Sequence, residues 1–371
     1  MRWASDGDAV YYLRRANQAD TLQKLVPSPG GGATVKTILG GLETDRFFDV
    51  SGDGRRLAYI RAPFHSNLWT VDVREEGDPA TLETTQLTTG TSLIERPRVS
   101  PDGLSIVFNV GREPRTDLYT MPLSGGTPTR LTFLEALNVA GAWSADGRQI
   151  AFASTQDGRP RVWVVDAAGG VPRAVSSGAL SDSLDVSWSP GSRILYQQAG
   201  NRNYHELDPE AGEETLLAGK DPPGWVFSPA YSPDGQQVAV LWNRRPHRGI
   251  WTIDLADRHA TLVHETDPGV GRPIGWSADG RHIYVLEGRN AIYRGPVLSF
   301  VGETVTAAKI LKAPVGGGAA RTVGTLPFDE IGSVTMSPDG RRFVCTVYSS
   351  SSDVWIVDDF DAPADTSMVM R

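Results

Sequence analysis

The chain has a single cysteine, Cys345, among 371 residues, which excludes an internal disulfide and any metal site built on paired thiolates. Set among alternating apolar residues, that cysteine reads as a small buried side chain. Histidine is scarce as well: His65, His205, His247, His259, His264 and His282 are dispersed, with no His-x-x-x-His pair. Neither a Gly-x-Ser-x-Gly elbow nor a Gly-x-x-x-x-Gly-Lys-Ser/Thr loop occurs, so the hydrolase nucleophile and the phosphate cradle both lack their motif. No apolar run approaches the ~20 residues that a membrane helix needs, and residues 1–5 already belong to a repeat instead of a signal-peptide core. The adjacent acids Glu75-Glu76, Glu213-Glu214 and Asp358-Asp359 read as solvated turns, not as a general acid and base. A net charge of −8, without Lys/Arg tracts interleaved with aromatics, disfavours nucleic acid. No cofactor, no metal and no catalytic residue is expected, and the balance leans against an enzyme.

What the chain does have is a turn that repeats. Ser-x-Asp-Gly opens at Ser51, Ser100, Ser144, Ser232, Ser277 and Ser337, with a first copy at Asp6-Gly7 and a degenerate one at Ser189-Pro190-Gly191. Taking positions 6, 53, 102, 146, 191, 234, 279 and 339 as markers, the steps run from 43 to 49 residues, with a last one of 60. In Ser100-Pro101-Asp102-Gly103 the proline presets φ, the aspartate can bond its own backbone two residues on, and the glycine accepts φ > 0. Each copy is therefore a hairpin turn.

Around each turn lie short alternating strands. An apolar stretch ends at the serine, a second strand such as Ile106-Val107-Phe108 follows, and about ten residues later comes a third such as Val162-Trp163-Val164-Val165. A Gly-rich turn and a short fourth strand close most units. Four-stranded units at a period in the forties make an all-β propeller. Eight markers imply eight blades of four antiparallel strands, forming one domain over residues 1–371. The last blade lacks its outer strand unless the tail Thr366-Ser367-Met368-Val369-Met370, or an arm upstream of Met1 in a longer parent protein, supplies it. The long final step leaves residues 290–307 as an insertion between the second and third strands of blade 7.

This Ser-Pro-Asp-Gly-x-x-Ile-x-Phe pattern (100–108, with near copies at 144–152 and 337–344), followed by an aromatic on the third strand and a Gly-Gly turn, resembles the TolB-like propeller repeat of bacteria. Neither Gly-His nor Trp-Asp, the marks of the WD repeat, occurs. The resemblance implies a non-enzymatic protein-binding or sensory module. It also implies a periplasmic or otherwise extracytoplasmic setting, or a place behind a kinase or DNA-binding domain in a larger protein. Some related propellers front a peptidase or carry a lyase site, which keeps a polymer-active lyase or hydrolase at the channel mouth as the alternative reading.

Tryptophan placement suggests where binding would occur. Trp3, Trp143, Trp188 and Trp276 share one repeat position and Trp69, Trp163, Trp251 and Trp355 another, so these eight are expected in the core. Trp225 and Trp242 are off register. Their connections emerge at the same end of the blades, next to Arg244, Arg245 and His247, and an aromatic pair with guanidinium groups is an anchor for a peptide or an anionic ligand. The equivalent second-to-third-strand connections elsewhere carry Arg61, His65, Arg112, Arg115, Arg159, Arg161 and Arg202. A basic rim on an acidic chain favours an anionic partner, opposed on the same face by acids such as Glu95, Asp182, Asp221, Asp267, Asp329 and Glu330. Tyr293 and Phe300, in the insertion, form a second candidate surface. A protein or peptide partner of a monomer is expected.

Overall fold

The computed structural model describes residues 1–361 apart from 17–18, 43, 62–63, 75–80, 113–114, 178–184, 198–202, 219–223, 267–269, 291–304 and 351–352. No described helix is long and apolar enough to cross a membrane. Six of the repeated turns are one hydrogen-bonded clasp. The serine hydroxyl donates to the aspartate Oδ1 at 2.5–2.6 Å and accepts the N–H five residues on at 2.9–3.0 Å. The same Oδ1 accepts the N–H two residues beyond it at 2.9–3.1 Å. The closing glycine sits at φ near +70°, as in Gly103 at 73° and Gly280 at 68°, where any Cβ is strained. The first copy has Ala4 in the serine position.

The chain forms two compact units, residues 1–64 with 349–371, and residues 65–348. In the smaller unit β1 (Arg2–Trp3), β2 (Val10–Ala16), β3 (Ala19–Pro27) and β4 (Ala33–Leu42) make one antiparallel meander, and β5 (Thr44–Val50) and β6 (Arg56–Arg61) begin another. The larger unit takes in β7 (Phe64–Arg74) and β8 (Thr81–Gln86), then five complete meanders. These are β9 (Ile94–Val99), β10 (Ser105–Arg112), β11 (Arg115–Pro122) and β12 (Thr129–Arg130); β13 (Asn138–Trp143), β14 (Gln149–Ser154), β15 (Arg161–Asp166) and β16 (Arg173–Ala174); β17 (Val186–Trp188), β18 (Ile194–Gln197), β19 (Tyr204–Leu207) and β20 (Glu214–Leu216). There follow β21 (Val226–Tyr231), β22 (Gln237–Trp242), β23 (Gly249–Asp254) and β24 (Ala260–Glu265), and then β25 (Val270–Trp276), β26 (His282–Asn290), β27 (Val305–Pro314) and β28 (Arg321–Thr325). The chain ends with β29 (Ile331–Met336), β30 (Arg342–Ser350) and β31 (Asp353–Asp358).

The sixth meander of the larger unit is composite. β29 and β30 are continued by β7 and β8, while β31 pairs with β6 in the smaller unit. Asp72 on β7 receives both Nε and Nη2 of Arg342 at 2.5 and 3.2 Å, and the Val73 N–H bonds the Arg341 carbonyl. The innermost strands β9, β13, β17, β21, β25 and β29 each touch the next, and β29 touches β9. The larger unit is thus a closed ring of six blades, sealed by strands from the two ends of its chain. The expected single ring of eight is corrected accordingly. Its cause is an exchange of third strands between the second and last repeats. Leu68-Trp69-Thr70-Val71-Asp72 and Val354-Trp355-Ile356-Val357-Asp358 carry one pattern, so each fits the other's place.

Apolar side chains fill the gaps between blades. Six buried clusters correspond to the six interfaces of the ring, among them Val139, Val162, Ile194 and Tyr196 between the meanders β13–β16 and β17–β20, and Leu68, Ile106, Phe108 and Val344 at the closure. Each fully buried aliphatic or aromatic side chain contributes about 1.5–3 kcal/mol over an exposed one. Cys345 lies in one of these clusters, where burial pushes its thiol up to about 12. Among the expected core tryptophans, Trp3 and Trp355 are exposed instead, at 68% and 44%. Both belong to the smaller unit, where β1 and β31 are edge strands.

Two outcomes test this fold. A double variant Ala58→Cys with Ile356→Cys, cross-strand partners on β6 and β31, should oxidise to a disulfide detectable in a non-reducing digest. A β31 paired with β30 would give none. The clasp also sets an acid limit. In Asp53, Asp102, Asp146, Asp234, Asp279 and Asp339 the serine hydroxyl, with backbone N–H groups, holds the carboxyl below its usual range. A lowered folded-state value stabilises above the unfolded value of about 3.9 and is lost as pH falls through the folded value. The melting temperature should therefore be level from pH 7 to about pH 5 and drop steeply below about pH 4, and replacing several of these aspartates by asparagine should flatten the drop.

Candidate functional site

The six innermost strands of the larger unit surround a cavity of about 870 Å3, within the range of ligand sites. Irregular backbone shapes its wall. Register shifts interrupt the pairing of β9, β13, β21, β25 and β29 with their neighbours, and Arg96, Ala140 and Ser228 take φ of 52°, 60° and 50°. A bulge adds a residue to one strand and re-aims its side chains. At three of these places a proline, Pro97, Pro229 or Pro273, sits inside the strand, where it cannot donate to a ladder.

The two ends of the cavity differ in chemistry. Toward where the innermost strands begin, Arg96, Arg248 and Arg272 line it with the carboxylate Asp185, which the guanidinium of Arg98 approaches from the last residues of β9. Where they end, at the Ser-x-Asp-Gly turns, the wall is Trp143, Trp188, Trp276 and turn prolines such as Pro101, Pro190 and Pro338. Arg98 Nη2 lies 4.0 Å from Asp185 Oδ1 and its Nη1 donates to the Pro97 carbonyl at 3.1 Å. Burial draws the Arg98 guanidinium below the ordinary arginine range, with Asp185 opposing and Arg96 adding to the effect. Tyr204 donates to the other oxygen of Asp185 at 3.1 Å, and burial, then Asp185, push its hydroxyl up. Arg272 donates to the Gly332 carbonyl across to β29. The indole N–H groups of Trp143 and Trp276 donate to the Arg98 and Ala230 carbonyls of the preceding innermost strand, at 3.0 and 2.9 Å. Trp188 Nε1, at the same repeat position, is buried and lacks an acceptor among the described residues.

The patch expected from sequence is only partly assembled. Trp225 and Trp242 do sit together: the Asn243 N–H donates to the Trp225 carbonyl at 3.0 Å, and Asn243 Oδ1 accepts the Trp225 N–H at 2.5 Å. That approach needs Gly224, at φ 91°, because a Cβ there would lie 2.6 Å from Asn243 Oδ1. Trp242, however, is 3% exposed and packs edge-on to Trp251 at 5.7 Å, so it is core and not a contact surface. Arg244 covers both rings from outside, 5.4 and 5.0 Å from their centroids. Trp225, Arg245 and His247 are exposed, and His247 is paired with Glu265.

The remaining rim candidates do not converge. Arg61 lies in the smaller unit over the Trp355 ring at 5.1 Å. His65 is half-buried at the start of β7. Arg115 pairs with Glu135 at 3.1 Å, and Arg161 with Asp157 at 2.9 Å and with the Ser176 carbonyl. Arg159 is exposed; Arg112 is in β10, and Arg202, Asp182, Asp221, Asp267, Tyr293 and Phe300 lie outside the described residues. Local pairing thus consumes part of the rim charge; the cavity wall carries four arginines and Asp185, and Glu95, which accepts from the Tyr348 hydroxyl, acts on that hydroxyl together with Arg96 and Arg272. Sequence reasoning missed Arg96, Arg98, Arg272 and Asp185. The available signal was an arginine directly before a proline inside a strand, as in Arg96-Pro97 and Arg272-Pro273.

A model of the TolB beta propeller domain matches residues 10–221, more than half of the chain. The chain belongs to the TolB β-propeller family. Among similar proteins are one from Agrobacterium fabrum, 28% identical over 38% of this chain and 52% of that one, and a TolB homologue of Chlorobium luteolum, 25% identical over 43% and 36%. The chain thus matches about half or less of the length of these relatives. A solved structure from Agrobacterium tumefaciens assigned to TolB shares the fold, with a TM-score of 0.61 at 20% identity, covering 77% of this chain and 99% of that one.

Within this TolB-type propeller the two off-register tryptophans should separate cleanly. Trp242→Ala should lower the unfolding free energy by about 3–5 kcal/mol, the cost of a large buried aromatic. Trp225→Ala with Arg245→Ala should cost well under that, as exposed positions do. Chemical denaturation of the three variants reads the difference directly.

Proposed function

We infer that this TolB-type propeller is a non-enzymatic binding module that takes a protein or peptide partner at the end of the ring where the innermost strands begin. The observation that carries the reading is the cavity itself: six strands supply one concave surface with guanidinium groups at one end and indoles at the other. Arginine and tryptophan are the side chains that dominate binding energy at protein interfaces. Trp225 and Arg245, exposed on the connections at the same end, extend that surface outward.

An enzyme would need histidines and a carboxylate converging on the axis. Among the described residues the cavity wall contains no histidine, and His205, His247 and His264 are each engaged locally with Glu214, Glu265 and Glu287. No three His, Cys, Asp or Glu among the described residues gather as a metal site. A monomer in a periplasmic or otherwise extracytoplasmic compartment is the setting that the family resemblance suggests.

A peptide array tests the reading. Peptides retained by the protein should be lost with Trp225→Ala and Arg245→Ala and kept with Val171→Ala, an exposed residue of the Gly169-Gly170 turn at the opposite end of the blades. Retention that depends on Val171 alone, or turnover of an oligogalacturonate, would contradict it.

A further inference from the structure

We propose that residues 365–370, in the tail outside the described residues, dock on the free edge of β31 as the fourth strand of its sheet, with Thr366 opposite Trp355. Among the described residues β31 pairs with β6 alone and ends the sheet formed by β5, β6 and β31. Its other edge runs Asp353-Val354-Trp355-Ile356-Val357-Asp358 without a lysine, a proline or a bulge, the devices that keep an edge strand from pairing with another chain. Val354 and Ile356 are 70% and 63% exposed, whereas Val162 and Val164, at the same places on β15, are buried.

The five complete meanders of the larger unit place their fourth strand by one rule. The central residue of the third strand pairs with the residue eleven further along: Tyr119 with Arg130, Trp163 with Ala174, His205 with Leu216, Trp251 with Leu262 and Leu311 with Thr322. Five or six residues separate the two strands. β31 stops at Asp358, three residues past Trp355, as β15 stops at Asp166 and β23 at Asp254, three past Trp163 and Trp251. β3 and β7 instead run on into longer hairpins that close at Pro27–Ala33 and Arg74–Thr81. The common step of eleven, taken from Trp355, reaches Thr366, and a connection of six residues after Asp358 brings the strand to its start at Asp365.

The beginning of that connection is already held. Asp359 takes φ of 50°, the Phe360 ring packs edge-on to Tyr11 at 5.2 Å, and Asp361 accepts from the Tyr11 hydroxyl at 2.7 Å and from the Lys24 ammonium at 2.5 Å. Opposite residues of an antiparallel pair share a face, so Ala364, Thr366 and Met368 come to the side of Val357, Trp355 and Asp353. On that side β6 supplies Leu57 and Tyr59, both buried in one cluster with Tyr11 and Leu22. Asp365 and Ser367 come to the open side, with Ile356 and Val354. Apolar or β-branched residues inward and polar ones outward are the pattern of a half-buried strand. A second copy of the chain fits less well. Two β31 edges centred on one another would set Asp353 against Asp358 at both ends, and like charges directly opposite destabilise a strand pair.

The test is the oxidation of two full-length double variants, read in a non-reducing digest. Val354→Cys with Ser367→Cys, opposite each other in this register, should cross-link within one chain at least about tenfold faster than Val354→Cys with Thr366→Cys, whose side chains leave opposite faces of the sheet. Hydrogen exchange supplies a second reading without cysteines. Thr366→Pro/Ser367→Pro removes two successive donors, so whichever of them faces β31 is lost. The amides of residues 353–358 should then exchange at least about tenfold faster than in the wild type, while those of residues 105–112 keep their rates and show the fold intact. Cross-linked dimers as the main product of Val354→Cys/Ser367→Cys would give the edge to a second copy. Equal cross-linking of the two cysteine variants, or unchanged exchange at residues 353–358 in the proline variant, would leave the edge without the tail. Each of these results overturns the proposal.

Discussion

The hydrogen-bonded clasp of serine, aspartate and glycine is the interaction on which the rest of the structure depends. Each clasp fixes where the innermost strand stops and the second strand starts, and so sets which side chains face the axis and which face the next blade. It also joins blades. The Pro338 ring lies 3.7 Å from where a Cβ on Gly103 would stand, Pro101 stands likewise against Gly147 at 3.9 Å, and Pro190 against Gly235 at 3.5 Å. Turn meets turn around the ring, so a local motif of four residues orders the whole wall of the cavity.

Ring closure follows from the same repetition. Because the third strands of the second and last repeats, Leu68-Trp69-Thr70-Val71-Asp72 and Val354-Trp355-Ile356-Val357-Asp358, carry the same alternation with tryptophan at the centre and aspartate at the end, the strand that completes a meander need not be the next in the chain. β7 seals the six-bladed ring against β30 with a bidentate Arg342–Asp72 pair, and β31 finds β6 with register from Asp353–Arg61 to Asp358–Arg56. Closure by strands from opposite ends of the chain ties the ring shut without a disulfide, a role that a propeller with one buried cysteine must fill by pairing alone.

The parts legible in the sequence were those that local chemistry dictates. The turns, the four-stranded units, the buried Cys345 and the family resemblance were all readable from residue order. The number of blades in one ring was not, because Leu68-Trp69-Thr70-Val71 and Val354-Trp355-Ile356-Val357 are interchangeable as patterns and only tertiary pairing distinguishes them. Trp242 looked like a site residue because it broke register, yet Trp251 and the guanidinium of Arg244 enclose it. Arg96 and Arg272 escaped notice for the opposite reason. A bulge breaks the period of two at Arg96 and two residues beyond Arg272, so alternation assigned neither strand a single face, and only the proline after each marked the irregularity.

The central claim is that the wall of the six-bladed ring, not the outer blade edges or the smaller unit, is the working surface. Hydrogen–deuterium exchange with and without a bound partner peptide tests it most directly. Protection concentrated in residues 94–99, 185–188, 226–231, 270–276 and 331–336, the segments that line the cavity, is the result the account requires. Protection confined to residues 1–61, or to the outer strands at 129–130, 173–174 and 260–265, would contradict it.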